Sequence, residues 1–377
     1  MRERPLGSPR HRCAEVEVCV IHLRARGPVM KRTTIGLDLA KRVFQVHAVD
    51  VNTGEMVRVA LKRSQVSRFF ANREPAVVAM EACGSAQHWA RELLKLGHEV
   101  RLIAPQFVRP FVKTNKTDAA DAEGIWEAAQ RPGMRYVALK SEEQQAVLGL
   151  HRLREQRVKM RSMLVNQLHG LMSEYGVALP KGWAVMLKQA GELLADYDRC
   201  PIPAILRPAL LQQIEQVRTL TDQVKSLERQ IGAWQRRAED CQRIAAIPGV
   251  GLLTATAAVA TIGDARSFRS GRELAAFLGL VPRQSGTGGR VKLLGISKRG
   301  DRYLRTLLIH GARTVLSWQR RPGREIDPWL KGLLARRAPN IVIVALANKM
   351  ARMIWALLAH GRTFQRNFGQ APACTAA

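Results

Sequence analysis

Four acidic residues stand where an acid is either out of place or paired with another acid. Asp38 lies within the apolar segment GLDLAK, and Glu81 closes the apolar run AVVAME. Asp118 and Asp121 open a helical pattern, and their spacing of three residues places both on one helical face. Acids at strand ends and at a helix start can converge at the carboxyl edge of an open α/β sheet. Carboxylates grouped in this way suit Mg²⁺, and two such ions about 4 Å apart stabilise both oxygens of a phosphodiester transfer.

Taken singly, these acids also have structural explanations. Asp118 is in a position typical of a helix cap, and Glu81 is in a position typical of an acid at a sheet edge. The strand placement of the set and the basic balance of the chain favour catalysis over these alternatives.

A Gly-rich segment supplies candidate nucleophiles. Ser285 and Thr287 lie in VPRQSGTGGRVKLLGI, which we expect to be a Gly-rich loop near residues 282–296 that can approach a nucleic-acid backbone closely. Residues 265–337 hold 17 basic and four acidic residues, a net charge of +13. Such clusters neutralise phosphates, so we predict that nucleic acid binds here, with a solvated basic face as the alternative. The densest cluster is Lys292, Lys298, Arg299, Arg302 and Arg305, in which Arg302 and Arg305 are predicted to share a helical face.

The segment AAIPGVGLLTA lies between two helical patterns and is typical of a helix-hairpin-helix turn. Gly249 and Gly251 would let backbone N–H groups approach a phosphate at the start of the following helix. The alternative is an ordinary turn between helices.

Composition limits the classes of partner. The 377 residues include 60 Lys and Arg against 31 Asp and Glu, a net charge of +29, and 46% are apolar. The apolar content excludes a wholly disordered basic chain, and the charge predicts a polyanionic partner, nucleic acid before membrane. The uncharged stretch 244–263 contains Pro and Gly and fits a helical hairpin better than a membrane span. Six scattered cysteines, no ligand spacing among the histidines and no secretory signal indicate a cytoplasmic, nucleoid-associated protein without a membrane partner.

The elements predict an α/β domain followed by an all-α region. Three strands within residues 33–62, a helix over 64–73, strand 76–81, helix 84–97, strand 98–104 and helix 117–130 indicate a mixed sheet. Two helical stretches, 142–176 and 205–243, carry apolar seams with spacings of three and four that predict an antiparallel coiled coil. The seams are Leu164, Leu168, Leu171 and Tyr175 in the first, and Val217, Leu220, Val224, Leu227, Ile231 and Trp234 in the second. We therefore divide the chain into a disordered arm or over-long start (1–29), a catalytic domain (30–140), a coiled-coil linker (141–243), a helical DNA-binding domain (244–362) and a disordered tail (363–377).

Several motifs occur in an order that resembles the DEDD transposases of the insertion sequence one-ten family. They are GLDLAK, MEACGS, NKTDAADAEGIWEA, AAIPGVGLLTA, FLGLVPRQSGTGG and GISKRGDRYLRTLLIHGA. The resemblance covers nearly everything from Met30 to about residue 360. The resemblance implies a RuvC-like domain of the RNase H type whose four acids are Asp38, Glu81, Asp118 and Asp121. It further implies Mg²⁺-assisted attack of a serine on double-stranded DNA, a covalent phosphoserine link, a tetramer and a non-coding guide RNA.

One motif departs from the family pattern, which commonly has Ser-Ser-Gly-Gly or Ser-Thr-Gly-Gly in the Gly-rich segment. Counting from Pro282, Gly286 occupies the usual serine position, so we expect Ser285 to serve as nucleophile, with Thr287 and then Ser297 as alternatives. Two other functions stay open: a RuvC-like endonuclease in which the acids activate water, and a non-enzymatic nucleic-acid-binding protein.

Overall fold

A computed structural model describes residues 32–50, 53–112, 117–196 and 198–365. The predicted arm at 1–29 and most of the predicted tail at 363–377 lie outside the described residues, as do Cys13, Cys19 and Cys374. The described residues form two compact units, which divide between residues 136 and 137. The domain boundaries near 140 and 243 stay predictions.

The first unit is built on a six-stranded mixed sheet with the order β3-β2-β1-β4-β5-β6. β1 pairs with β2 in an antiparallel and with β4 in a parallel arrangement, and β4 pairs with β5 in parallel. This confirms the predicted mixed sheet and is consistent with an RNase H-like domain. The strands are β1 (Thr34–Asp38), β2 (Val43–Val49), β3 (Met56–Lys62), β4 (Val77–Glu81), β5 (Glu99–Ile103) and β6 (Tyr136–Val137).

Burial explains why β1 and β4 occupy the centre of this sheet. Ile35 and Leu37 of β1 and Val78 and Met80 of β4 are at most 1% exposed. Continuous apolar runs of this kind are typical of strands covered on both faces. The edge strand β3 alternates between exposed and less exposed residues instead. The helices of the unit are α1 (Val66–Ala71), α2 (Ala86–Lys95), α3 (Pro105–Val108) and α4 (Asp118–Ala129), with 3₁₀ turns at Arg63–Gln65 and Arg109–Phe111.

The second unit begins with two long helices, α5 (Glu142–Ser173) and α7 (Arg207–Arg237). Arg154 of α5 pairs with Glu228 of α7 at 2.6 Å, and the Gln213 side chain donates to the Leu164 carbonyl at 2.7 Å. The later position on one helix contacts the earlier position on the other, so the pair is antiparallel. A coiled-coil supercoil stays a prediction.

The connector between the long helices contains another helix, α6 (Trp183–Ala195), whose Met186 and Ala190 are fully buried. Two expectations for this unit are wrong in detail. The second long helical stretch breaks at Ala238, where an extended backbone separates α7 from α8 (Glu239–Ala245). Tyr175 lies beyond the end of α5 and is 38% exposed, so it is not part of the seam.

Another correction concerns residues 282–296. They form a two-stranded antiparallel hairpin of β7 (Pro282–Thr287) and β8 (Arg290–Ile296) rather than the expected Gly-rich loop. The turn is Gly288-Gly289, and both residues have positive φ, at 57° and 77°. Two-residue turns of this kind match the twist of paired strands and favour glycine, which explains why a Gly-rich segment is ordered as a ribbon here.

The remaining helices pack around an apolar core. They are α9 (Leu252–Ile262), α10 (Gly271–Phe277), α11 (Arg302–Gln319), α12 (Pro328–Leu334) and α13 (Pro339–His360), with a 3₁₀ turn at Ala265–Ser267. Within the described residues, α13 alone has the length and apolarity of a membrane span, but its Val342, Ala347, Met350 and Ile354 are at most 1% exposed in the core of this unit. The uncharged stretch 244–263 includes α9, most of whose residues are buried in the same core.

Candidate active site

Asp38 and Glu81 occupy equivalent ends of two neighbouring parallel strands. Leu37 of β1 is in register with Met80 of β4, so the next residue of each strand is Asp38 on one and Glu81 on the other. Both acids therefore lie at the carboxyl edge of the sheet, as expected. The burial of each strand falls at this last residue, which gives the carboxylates partial access to solvent.

Asp118 and Asp121 lie in the first turn of α4, and the capping role belongs to another residue. The Thr117 hydroxyl accepts from the Ala120 N–H at 3.2 Å and is the helix cap. This contradicts the alternative in which Asp118 caps the helix. The helix packs on β1 at Gly36, where a Cβ atom would stand 2.3 Å from the Ala122 carbonyl oxygen. The absence of a side chain at Gly36 thus lets the start of α4 approach the strand that carries Asp38.

The negative charges of three of the predicted acids act on the fourth, Asp38. The pKa of Asp38 is raised to about 6, mainly by burial, next by the negative charges of Asp121 and Asp118, and to a smaller extent by Glu81. A hydrogen bond from the Leu39 N–H opposes these effects. Carboxylates that repel one another in a partly buried position gain stability from a cation.

The donor set fits a hard divalent cation, because all four side chains offer carboxylate oxygens. Within the described ranges, no three His, Cys, Asp or Glu side chains converge to metal-binding distance in this arrangement. Holding an ion therefore requires the four acids to move closer together. The four acids therefore suit a divalent cation by their charge and oxygen ligands, and not by a preformed coordination geometry.

Sequence reasoning did not place Cys83 at this site. Burial raises the pKa of the Cys83 thiol, and the nearby negative charges of Glu81 and Asp38 raise it further. Cys83 follows β4 by two residues, in the motif MEACGS. In the same turn Ser85 has φ of 68°, a left-handed conformation that is uncommon outside glycine. Its position two residues after Glu81 is the feature of the sequence from which Cys83 could have been predicted to lie near the acids.

Ser285 and Thr287 lie on the β7–β8 hairpin, in the second unit. Ser285 is in register with Lys292, and Thr287 with Arg290. Residues two apart on a strand share a face, so both hydroxyls and both cations belong to one face of the ribbon. The strand β7 is exposed along its whole length. Ser297 follows β8, and its N–H donates to the Val281 carbonyl at 2.8 Å.

The hairpin leaves no room for a side chain at Gly286. A Cβ atom there would stand 2.3 Å from the Arg290 carbonyl oxygen, in the paired strand. Real Cβ atoms do not approach a backbone atom so closely, so a serine at position 286 would have to distort the ribbon. This observation favours a hydroxyl at a neighbouring position.

Arg305 does not belong with the exposed cations. Its side chain is 7% exposed, and its Nη1 donates to the Leu278 carbonyl at 2.8 Å and to the Arg299 carbonyl at 2.9 Å. Arg302, three residues earlier on α11, is exposed. The expectation that both residues share a phosphate-binding face is therefore wrong, because Arg305 ties together two backbone segments at the base of the hairpin. The other predicted contacts, at Lys292, Lys298 and Arg299, are exposed.

The two glycines of the predicted hairpin turn have different surroundings. Gly249 has φ of 86° and packs on α11, where its Cβ atom would stand 2.8 Å from the Gly311 carbonyl oxygen. Gly251 is exposed, precedes α9 and has open space where a Cβ atom would lie. Close packing of helices explains Gly249, and phosphate binding at either glycine stays a prediction.

Two family profiles match this chain. One, of DEDD transposases of the IS110 type, matches residues 35–177 and so includes all four acids. The other, described as the transposase IS116/IS110/IS902 family, matches residues 241–326 and includes the hairpin.

Several curated proteins are similar over most of their length. The chain is 52% identical over 330 residues to a probable family 20 transposase of Pseudomonas aeruginosa, which covers 87% of this chain and 97% of that protein. It is 40% identical to the transposase for insertion sequence element IS1111A of Coxiella burnetii, over 88% of this chain and 91% of the relative. It is 39% identical to the transposase for insertion sequence element IS1328 of Yersinia enterocolitica, over 89% of this chain and 99% of the relative.

Proposed function

Because this chain belongs to the IS116/IS110/IS902 family of transposases, and is thus an enzyme that acts on DNA, we propose that it cuts and rejoins DNA through a Mg²⁺-dependent attack of the Ser285 hydroxyl on a phosphate. The observation that carries the proposal is the grouping of four carboxylates around Asp38 at one sheet edge. Three of them raise the pKa of the fourth, which is the electrostatic condition for holding a cation.

The four acids would hold the metal. Asp38 and Glu81 offer oxygens from adjacent strand ends, and Asp118 and Asp121 offer them from one helical turn. A bound Mg²⁺ supplies Lewis-acid stabilisation of charge on the phosphate oxygens.

In the serine step one phosphate ester bond forms as another breaks, so the number of such bonds is unchanged. A bond forms between the Ser285 Oγ and phosphorus, the bond from phosphorus to a deoxyribose oxygen breaks, the hydroxyl proton leaves to solvent or a base, and the released sugar oxygen takes up a proton. Re-ligation reverses these changes on another strand, so no external energy source is required. The register partner of Ser285 is Lys292, whose positive charge favours both the developing alkoxide and the phosphate.

The family resemblance adds a guide RNA and an oligomeric state to this proposal. A non-coding RNA from the element would guide the enzyme to donor and target DNA, and the active form would be a tetramer. The excess of positive charge, +29 over the whole chain, is consistent with binding more than one nucleic acid at a time.

The test is a suicide DNA duplex that spans the junction of the element and its flank, nicked so that the leaving strand dissociates. With Mg²⁺ and RNA transcribed from the non-coding DNA beside the gene, the enzyme should form an adduct that resists denaturation. Trypsin should release the adduct on the peptide 284–290, which contains both Ser285 and Thr287, and fragmentation assigns the modified hydroxyl.

Matched variants separate the proposal from the alternatives. Ser285→Ala should abolish the adduct, whereas Ser317→Ala, which changes an exposed serine of α11, should not. Nicking that persists in Ser285→Ala would support water as the nucleophile instead. An adduct on Thr287 would move the role by two residues, and an adduct formed equally well without RNA would contradict RNA guidance.

A further inference from the structure

The first unit contains an open cleft of about 710 Å³ next to the carboxylate edge of the sheet. It is lined by Lys41, Arg42, Val43, Lys62, Arg63, Ser64, His88 and Trp89. Four of these eight described residues are Lys or Arg, one is a histidine, and none is an acid. The composition is that of a site for an anion.

Backbone pairing holds the two basic segments of the cleft next to each other. Lys41 and Arg42 form the turn between β1 and β2, and the Arg63 N–H donates to the Arg42 carbonyl at 2.9 Å. Val43 at the start of β2 is in register with Lys62 at the end of β3. The two basic segments are therefore held side by side by backbone hydrogen bonds, at one end of the β1–β2–β3 meander.

The floor of the cleft orients Arg63. Its guanidinium lies over the rings of Trp89 and Phe44, at 5.3 and 5.8 Å from their centroids. Trp89 is only 5% exposed and packs edge-on against Phe44 at 5.2 Å, so both rings are covered. A guanidinium held over aromatic rings keeps its planar set of N–H donors available for a phosphate.

The cations of the cleft are absent from the ion pairs seen among the described residues of this unit. Those pairs include Arg58 with Glu123, Lys95 with Glu92, Arg101 with Glu99 and Arg131 with Glu127. Lys41, Arg42, Lys62 and Arg63 are exposed. Their charges therefore face solvent in the cleft, where a polyanion would release counterions on binding.

The cleft lies close to the catalytic edge along the chain. Lys41 follows Asp38 by three residues, which limits their Cα separation to about 11 Å. Consecutive phosphates of one DNA strand advance about 3.4 Å each along the helix axis. The cleft is thus within about three nucleotides of a phosphate positioned at the acids.

We propose that this cleft binds the backbone phosphates of the DNA strand whose scissile phosphate lies at the four carboxylates. The proposal rests on the proposed function for the position of that phosphate, but the binding itself does not require the chemistry. Cations at this point offset the repulsion between four carboxylates and the incoming DNA.

The experiment measures the binding of a fluorescein-labelled 40-bp DNA duplex to the full chain over a range of KCl concentrations. Lys41→Gln/Arg42→Gln should lower the slope of log K against log[KCl] by about 1.8, because each lost phosphate contact removes about 0.9. The matched control Arg73→Gln/Lys95→Gln removes the same charge from exposed residues that precede β4 and β5, at the opposite sheet edge. The control should leave the slope unchanged, and circular dichroism melting should show both variants folded.

Three outcomes overturn the proposal. An unchanged slope in the cleft variant, or an equal fall in the control, shows that the cleft makes no specific phosphate contact. A fall seen only with a 40-nt RNA in place of DNA assigns the cleft to RNA. Failure of the proposed function is seen separately, because a chain that forms no Ser285 adduct can still show the fall in slope, and a cleft variant with unchanged binding can still form the adduct.

A second measurement places the contact on the strand. A neutral methylphosphonate is introduced one to four nucleotides from the cleavage position mapped with the suicide duplex. At the contacted position it should weaken binding to the wild-type chain about 10-fold and leave binding to Lys41→Gln/Arg42→Gln unchanged, since the two changes remove the same interaction. Equal weakening in both proteins at every position would overturn the proposal.

Discussion

Ser285 stands directly opposite Lys292 across the β7–β8 hairpin, on the same face as Thr287 and Arg290. The pair is exposed, so the cation is available to a phosphate and to an ionised serine at the same position. A hydroxyl on a paired strand has a more defined orientation for attack than one on an irregular loop.

Lys292→Met should slow formation of the covalent adduct by about 10²-fold, the typical effect of removing one group that stabilises developing negative charge. Lys292→Arg, which keeps the charge, should recover most of the rate. The rate is measured in single turnover with the suicide duplex at saturating protein, so that weaker DNA binding does not contribute. A rate in Lys292→Met within twofold of the wild type would show that the cross-strand lysine has no part in the step.

The α/β part of the fold could be predicted because its signals are local. Apolar runs such as those around Ile35 and Val78 specify buried strands, and the acids that end them stand out against that pattern. The register of β1 with β4 then brings Asp38 and Glu81 together, which spacing along the chain alone suggests but does not fix.

The hairpin and the role of Arg305 could not be predicted in this way. Val291 and Leu293 are 66% and 63% exposed, so β8 has no buried alternation that would mark a strand. The partners of Arg305 include the Leu278 carbonyl, 27 residues earlier in the chain, and no pattern on α11 encodes that contact. Charge along a helix predicts exposure on average, whereas a buried arginine is explained by distant backbone acceptors.

Asp38→Asn should abolish the adduct while raising the melting temperature of the metal-free protein. Burial and the charges of Asp121, Asp118 and Glu81 all disfavour a carboxylate at this position, and an amide relieves them. A gain of about 1 kcal/mol would raise the melting temperature by roughly 4 °C. Adding 10 mM Mg²⁺ should stabilise the wild type more than the variant, as measured by differential scanning calorimetry. Lower stability in Asp38→Asn without metal would contradict the repulsion among the four acids.

The second unit should lose stability as the pH falls from about 6.5 to about 4. His151 is 1% exposed, and its Nδ1 and Nε2 lie 3.0 Å from Tyr303 Oη and Thr256 Oγ1. The Thr256 hydroxyl donates to the Leu252 carbonyl at 2.7 Å, so it accepts from Nε2–H, and Nδ1 accepts from the Tyr303 hydroxyl. This arrangement requires a neutral ring.

Burial lowers the pKa of His151 from 6.5 to about 4. The unfolded chain therefore binds a proton in this interval that the folded unit does not, and the free energy of unfolding falls by up to about 3 kcal/mol. Above pH 6.5 the ring is neutral in both states and makes no such contribution. Hydrogen exchange of α5 and α9 amides at several pH values measures the loss, and His151→Gln should flatten it. An identical pH profile in the variant would assign the loss to other groups.

Arg305→Gln should destabilise the base of the hairpin without weakening the electrostatic part of DNA binding. The wild-type guanidinium satisfies the Leu278 and Arg299 carbonyls, and hydrogen bonds from a charged donor contribute about 1.5–3 kcal/mol each. We expect a loss of about 3 kcal/mol in the free energy of unfolding and faster hydrogen exchange in β7 and β8.

Arg302→Gln, on the exposed surface of the same helix, is the matched variant. It should leave stability within 0.5 kcal/mol, about the usual range for a surface substitution, and lower the slope of log K against log[KCl] by about 0.9. The opposite assignment of the two effects would return Arg305 to the phosphate-binding set and make its two backbone hydrogen bonds incidental.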